Sequence, residues 1–223
     1  MNVEVMIPLG EKLFRRAQAT PDEPAVSCGE VTLTWRQLES RTNRIARALE
    51  RLGVKHGDLV TIGLPNCIDF IEASLGVWKL GATPQPVSFR LPMAELRTIV
   101  DLAAPAVVIA LPGVETDRQR VTVDDLLALS VDDRRVEPRV APVLGAMTSG
   151  GSTGRPKLVL SGRRGEVRAE PTPDLSRLGE GETALIPAPL YHSGPFWYAL
   201  AALTRNAHAV LMPRFDGSGA RRD

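Results

Sequence analysis

The chain of 223 residues allows one large or two small domains, and its apolar fraction of 43% with 24% charged residues is that of a globular protein able to bury a core. A formal charge of +1 gives no electrostatic case for binding nucleic acid or an acidic membrane surface. Cys28 and Cys67 make no disulfide framework, His56, His192 and His208 lie too far apart in sequence for a zinc site, and no apolar run approaches the ~18 residues of a membrane span.

With Glu4 placed where a signal peptide would be basic, the expectation is a soluble, cytoplasmic chain. A short helix is predicted from Leu9 to Ala19, stopped at Thr20-Pro21 because proline restricts the residue before it. Pro24 to Cys28 and Val31 to Leu33, separated by Gly29-Glu30, read as a hairpin, with Cys28 a small buried apolar residue. The clearest helix follows: Trp35, Leu38, Thr42, Ile45, Leu49 and Leu52 recur at steps of three and four, Thr34 and Gln37 form a capping box, and Gly53 supplies the stop. Arg36, Arg41, Arg44 and Arg47 lie off that stripe and are expected on a solvated face.

Asp58 to Leu64 reads as a buried strand, and Pro65-Asn66 turns it into a helix whose Ile68, Ile71, Leu75 and Trp78 share one face and which Gly81 ends. Strand and helix then alternate through Pro84 to Val87, a helix opened by Pro92, and the strand Ala106 to Leu111. Such alternation implies βαβ units and a parallel sheet, so the fold class is α/β. Between Pro112 and Pro142 the chain is polar, with a short helix expected around Val123 to Leu129. This stretch is the best internal boundary and divides the chain into a first α/β subregion, 1–140, and a second, 141–223.

The second subregion opens on Met147-Thr148-Ser149-Gly150-Gly151-Ser152-Thr153-Gly154-Arg155-Pro156-Lys157. Its three glycines let backbone approach a ligand closely, its hydroxyls and unblocked N–H groups are donors, and Lys157 adds a fixed positive charge. Apolar runs on both sides make a strand, loop, strand arrangement, which puts the loop on a rigid base and favours anion binding over a plain Gly/Ser linker. A Walker loop is excluded, because Pro156 precedes Lys157 and Leu158 follows it where the magnesium-binding hydroxyl and the helix should be. Ser161 to Glu182 reads as a charged connection in which Arg163 and Arg164 are solvated. A strand at Ala184 to Ile186 leads to Pro189-Leu190-Tyr191-His192-Ser193-Gly194-Pro195-Phe196, an apolar helix from Phe196 to Leu203, and a strand from Ala209 to Met212. The aromatics and histidine at that strand end would set a polar ring beside an apolar cavity. His56 and His208 read as structural.

Ser149 to Lys157 resembles the signature loop of the adenylate-forming superfamily, which includes acyl-CoA synthetases, nonribosomal adenylation domains and luciferases. Leu33 to Leu38, Trp78 to Ala82 with Pro84 to Val87, and Pro189 to Gly194 resemble further segments of that family. One departure is Gly150, which stands where the family often has Ser or Thr. The resemblance implies the N-terminal domain of an ATP-dependent carboxylic acid–CoA ligase, closest in wording to bacterial bile-acid-CoA ligase-like members. In that family the loop closes over the terminal phosphates of ATP while a carboxylate attacks the alpha phosphorus, giving acyl-AMP and pyrophosphate.

By this likeness Ser149, Gly150, Gly151, Ser152, Thr153, Gly154 and Lys157 hold phosphate, Lys157 and His192 are the catalytic side chains, and Tyr191, His192, Gly194 and Phe196 shape the acyl site. ATP, Mg2+ and CoA are the implied cofactors, and no metal ligand is assigned in this chain. The family's adenine, ribose and metal segments and its catalytic-lysine domain are not found in the sequence. The expectation is therefore an N-terminal fragment inactive alone, or a non-catalytic chain that binds nucleotide phosphate or self-associates through an incomplete sheet.

Overall fold

The computed structural model describes residues 5–149, 156–170 and 178–214. In chain order the elements are β1 (Met6–Pro8), α1 (Leu9–Ala19), β2 (Pro24–Cys28), β3 (Val31–Thr34), α2 (Trp35–Arg51), β4 (Leu59–Gly63), α3 (Ile68–Lys79), β5 (Thr83–Pro86), α4 (Met93–Ala103), β6 (Val107–Ala110), β7 (Arg120–Val121) and α5 (Val123–Leu129). After residue 140 come β8 (Ala146–Ser149), β9 (Lys157–Leu160), β10 (Glu166–Arg168), β11 (Thr183–Ile186), α6 (Ser193–Thr204) and β12 (His208–Leu211).

β4, β5, β6 and β7 form a parallel sheet in the order β5-β4-β6-β7. Its central strands are buried along nearly their whole length, as a parallel sheet covered on both faces requires. A second sheet has the order β11-β12-β2-β3 and is parallel except for the β2–β3 hairpin. Strands from both sides of residue 140 thus share one sheet, and one apolar core runs from Leu9 to Leu211.

The predicted helix ends are where the local chemistry puts them. Thr34 and Gln37 exchange the two bonds of a capping box, and Gly53 and Gly81 take positive φ just beyond α2 and α3. Two expectations need correction. The arginine side of α2 is not a simple solvated face: Arg41 pairs with the fully buried Glu72 on α3, Arg44 donates to the carbonyls of Leu127 and Ser130, and Arg47 to those of Arg134 and Arg135. Arg44 and Arg47 thereby give partners to carbonyls in the last turn of α5 and in the connection after it. Residues 161–170 are also more than a connection, since β10 pairs antiparallel with β1 and Lys12 donates to the Ala169 carbonyl.

α2 and α3 also meet at a buried ion pair, Lys79 Nζ with Glu39 Oε2 at 2.7 Å, where Lys79 also donates to Asn43 Oδ1. Burial pulls the Lys79 ammonium down from its usual 10.5 to about 8 although Glu39 opposes the shift. A lowered folded value means that Lys79 contributes stability above the unfolded value and loses it as pH falls through the folded one. From pH 7 to pH 9 the chain is expected to gain about 1 kcal/mol from this group. Above pH 9 the Cys67 thiol, pushed up to about 12 by burial, works in the opposite sense, which closes the window. Urea unfolding across that interval checks the slope, and a Lys79→Met chain with the same slope would refute it.

Candidate functional site

The site lies where the two halves of the chain meet. β8 runs beside the edge strand β5, but the two cannot form a ladder. Thr83 and Val87 give their N–H groups to Asp58 and Ile62 on the β4 side, so the even-numbered residues between them face β8, and both are prolines without N–H. Side chains make the junction instead: Thr83 Oγ1 donates to the Val143 carbonyl at 2.9 Å, Trp78 Nε1 to that of Leu144 at 2.8 Å, and Gln85 Nε2 to Thr148 Oγ1 at 3.3 Å. β8 then forms an antiparallel hairpin with β9 in which Ser149 is opposite Lys157. The strand, loop, strand arrangement expected from the sequence therefore has its two strands. Gly150, Gly151, Ser152, Thr153 and Gly154 lie outside the described residues.

The second motif is held by Asn66. This buried side chain accepts from the Leu190 N–H at 2.8 Å and donates to the carbonyls of Ala188 at 3.0 Å and Met212 at 3.1 Å. It therefore ties the β4–α3 turn to the exits of both β11 and β12. Downstream of that clamp, the His192 N–H turns back to the Pro189 carbonyl, and His192 becomes the N-cap of α6. The tilted rings of Tyr191 and His192 are 4.6 Å apart, and Phe89 packs edge-on to Tyr191 at 6.5 Å.

Tyr191 and His192 open onto a cavity of about 390 Å³ shared with Thr148 and Ser149. Gly145 and Trp197 close its inner side. A Cβ at residue 145 would lie 2.5 Å from the Trp197 ring, so only glycine lets that ring settle there. Tyr191 also forms a wall of a neighbouring cleft of about 300 Å³ with Asn66, Phe89 and Arg90.

Of the residues singled out from sequence, Ser149, Tyr191 and His192 are thus brought together. Lys157 is exposed at the base of the hairpin, and Gly194 is exposed in the first turn of α6. Phe196 is elsewhere: it is 2% exposed, stacked on Trp78 at 5.6 Å and edge-on to Phe70 at 5.9 Å, so it belongs to the core and its neighbour Trp197 lines the cavity. α6 is apolar nearly all round, which hides from sequence which of two adjacent aromatics faces the ligand side. Thr148, Gly145 and Trp197 join the site without having been singled out as separate site residues.

Among the described residues the cavity lining carries hydroxyls and an imidazole but no Asp, Glu, Lys or Arg. Such a lining, at the N-terminal end of a twelve-residue helix, suits the oxygens of an anion. Among the described residues no three His, Cys, Asp or Glu side chains cluster to hold a metal. Cys28 and Cys67 are free thiols whose pKa values burial raises, so neither is an activated nucleophile.

The model of the AMP-binding enzyme family matches residues 13–221. The chain belongs to that family. A probable non-canonical nonribosomal peptide synthetase, CymA, of Salinispora arenicola is 32% identical over 210 residues, covering 94% of this chain and 2% of that protein. The 4-coumarate–CoA ligase 2 of Oryza sativa subsp. japonica is 29% identical and covers 94% of this chain and 44% of its own length. Among solved structures, the inhibitor-bound N-terminal domain of FACL13 from Mycobacterium tuberculosis superposes with a TM-score of 0.77 at 26% identity, over 96% of this chain and 59% of that one. The α/β architecture is thus that of the N-terminal domain of adenylate-forming enzymes, and this member spans about half the length of the CoA ligase it matches. No helix among its described residues is long and apolar enough to cross a membrane.

Proposed function

We propose that this AMP-binding chain is the N-terminal portion of an ATP-dependent carboxylic acid–CoA ligase, with the carboxylate and the phosphate it attacks meeting in the His192 cavity. The observation that carries this reading is the shared cavity itself: His192 at the start of α6 and the hydroxyl end of β8 face one hollow. Thr148, Ser149 and His192 orient the carboxylate, helped by the positive end of α6. Lys157 brings a fixed charge toward the outer phosphates, and the backbone from Gly150 to Gly154 supplies further donors. Tyr191 and Trp197 exclude water from the acyl side. Among the described residues the lining fits anionic oxygens but offers no carboxylate, so no residue is assigned to Mg2+, and none is assigned to CoA.

The test is a titration of the labelled chain with ATP followed by amide resonances. Shifts are expected at Thr148, Ser149, Lys157, His192 and Ser193, and Lys157→Ala is expected to weaken binding about tenfold, the worth of one charge-assisted contact. Shifts confined to Arg163 and Arg164 would overturn the assignment.

A second reading, a chain that pairs with another polypeptide and does not turn over alone, is favoured by the outer strand β11. Among the described residues β11 has a partner on one side only, and Leu185 on it is 52% exposed. ATP–pyrophosphate exchange with a panel of carboxylic acids separates the two readings. Exchange by the chain alone, abolished in His192→Ala, supports the first; none alone, with a concentration-dependent increase in mass, supports the second.

A further inference from the structure

Gln85 sits in β5 with no solvent exposure, and a buried primary amide needs partners for both its ends. Its Oε1 accepts from the hydroxyl of Thr61, itself fully buried on β4, and its Nε2 donates to Thr148 Oγ1 on β8. The order of donors decides what the cavity sees. With the Thr61 hydroxyl giving its proton to Oε1, the Nε2 end of the amide is the one that faces β8. Nε2 then occupies a lone pair of the Thr148 oxygen, which leaves the Thr148 proton to be directed away from the core. A reversed amide would draw that proton inward and show the cavity only a lone pair, which repels an anion.

We propose that Gln85 is a positioning residue that presents the Thr148 hydroxyl as a hydrogen-bond donor to a phosphate or carboxylate oxygen in the His192 cavity. The proposal rests on the reading that this cavity receives an anion. It matters there because the lining has no charged side chain among the described residues, so neutral donors and the end of α6 meet the anion directly. It also gives the amide a role in both halves of the junction. With prolines on either side of Gln85, β5 has no N–H to offer β8, and the side-chain bond to Thr148 joins that of Thr83 to the Val143 carbonyl in relating the height of β8 to the parallel sheet.

Two measurements test this. In the wild-type chain the Gln85 side-chain amide protons are expected to show nuclear Overhauser contacts to the Thr148 methyl; contacts to the Thr61 methyl instead overturn the proposal, because the amide is then reversed. The second measurement titrates inorganic pyrophosphate, following the Thr148 and His192 resonances. Gln85→Met and Thr148→Val are each expected to weaken binding about tenfold, the double variant no more than Thr148→Val alone, and Thr148→Ser hardly at all. Melting temperatures identify the folded fraction of each variant. If folded Gln85→Met binds as wild type does, Gln85 has no positioning role. If wild type shows the Thr148 contact but binds no pyrophosphate, the anion reading of the cavity fails and takes this role with it, whereas a Thr61 contact sinks this role alone.

Discussion

Arg41→Met is expected to destabilise the chain by about 3–5 kcal/mol, because it leaves a carboxylate unpaired in the core. Glu72 is 0% exposed on α3, and the Arg41 guanidinium binds both its oxygens from α2. The partners shift in the same direction for different reasons. The hydrogen bond to Glu72 raises Arg41, whereas burial raises Glu72 against the pull of Arg41. Removing the guanidinium takes away that pull, so the Glu72 carboxyl rises further. A carboxyl raised in the folded state contributes stability that is present below its unfolded value and is lost as pH rises through the folded one.

The loss in Arg41→Met is therefore expected to be larger at pH 8 than at pH 5 in urea unfolding. Arg41→Met/Glu72→Leu, which removes both charges, is expected to recover most of it. A loss below about 1 kcal/mol at pH 8 would show that Glu72 reaches water or another partner, and the account of the α2–α3 contact would fall.

That pair marks the limit of what the sequence disclosed. Repeats of apolar residues located α2 and α3, and the glycines and the Thr34–Gln37 box located their ends, because these signals act within one or two turns. Which charged residue of α2 reaches which acid on α3 is a matter of how two helices pack, and Arg41 looked no different from the exposed Arg36. The β1–β10 pairing was illegible for a related reason: two three-residue strands carry almost no pattern, and their register joins Met6 to Arg168 across most of the chain. At the site, the segment spanning Tyr191 and His192 was singled out by its resemblance to a family segment, and its place between a strand and an apolar helix was legible because those signals are local. Its orientation could not, since it depends on Asn66, a residue that the sequence shows only as part of a turn.

Asn66→Ala is expected to cost about 3 kcal/mol or more and to loosen the site in the same step. The substitution leaves the buried Leu190 N–H unsatisfied, at about 1–3 kcal/mol, and also removes the bonds to the half-buried Ala188 and Met212 carbonyls, each worth about 0.5–1.5 kcal/mol. Leu190 is fully buried, so water does not readily replace Asn66 there. Asn66→Asp is expected to be no better at pH 7, because it keeps the acceptor for Leu190 but turns a carboxylate oxygen toward two carbonyl oxygens. Lowering the pH should narrow the gap, as the protonated acid regains a donor.

The site consequence follows from chain order. Tyr191 and His192 come directly after the clamped Leu190, and His192 sets the first turn of α6, so freeing the clamp changes where the imidazole sits over the Thr148 end of the cavity. Broadened Tyr191 and His192 ring resonances in folded Asn66→Ala, together with weaker ATP binding, are the expected result. Sharp, unshifted rings in a chain destabilised by the full amount would show that α6 alone fixes the motif and that Asn66 serves only the packing of the strand ends.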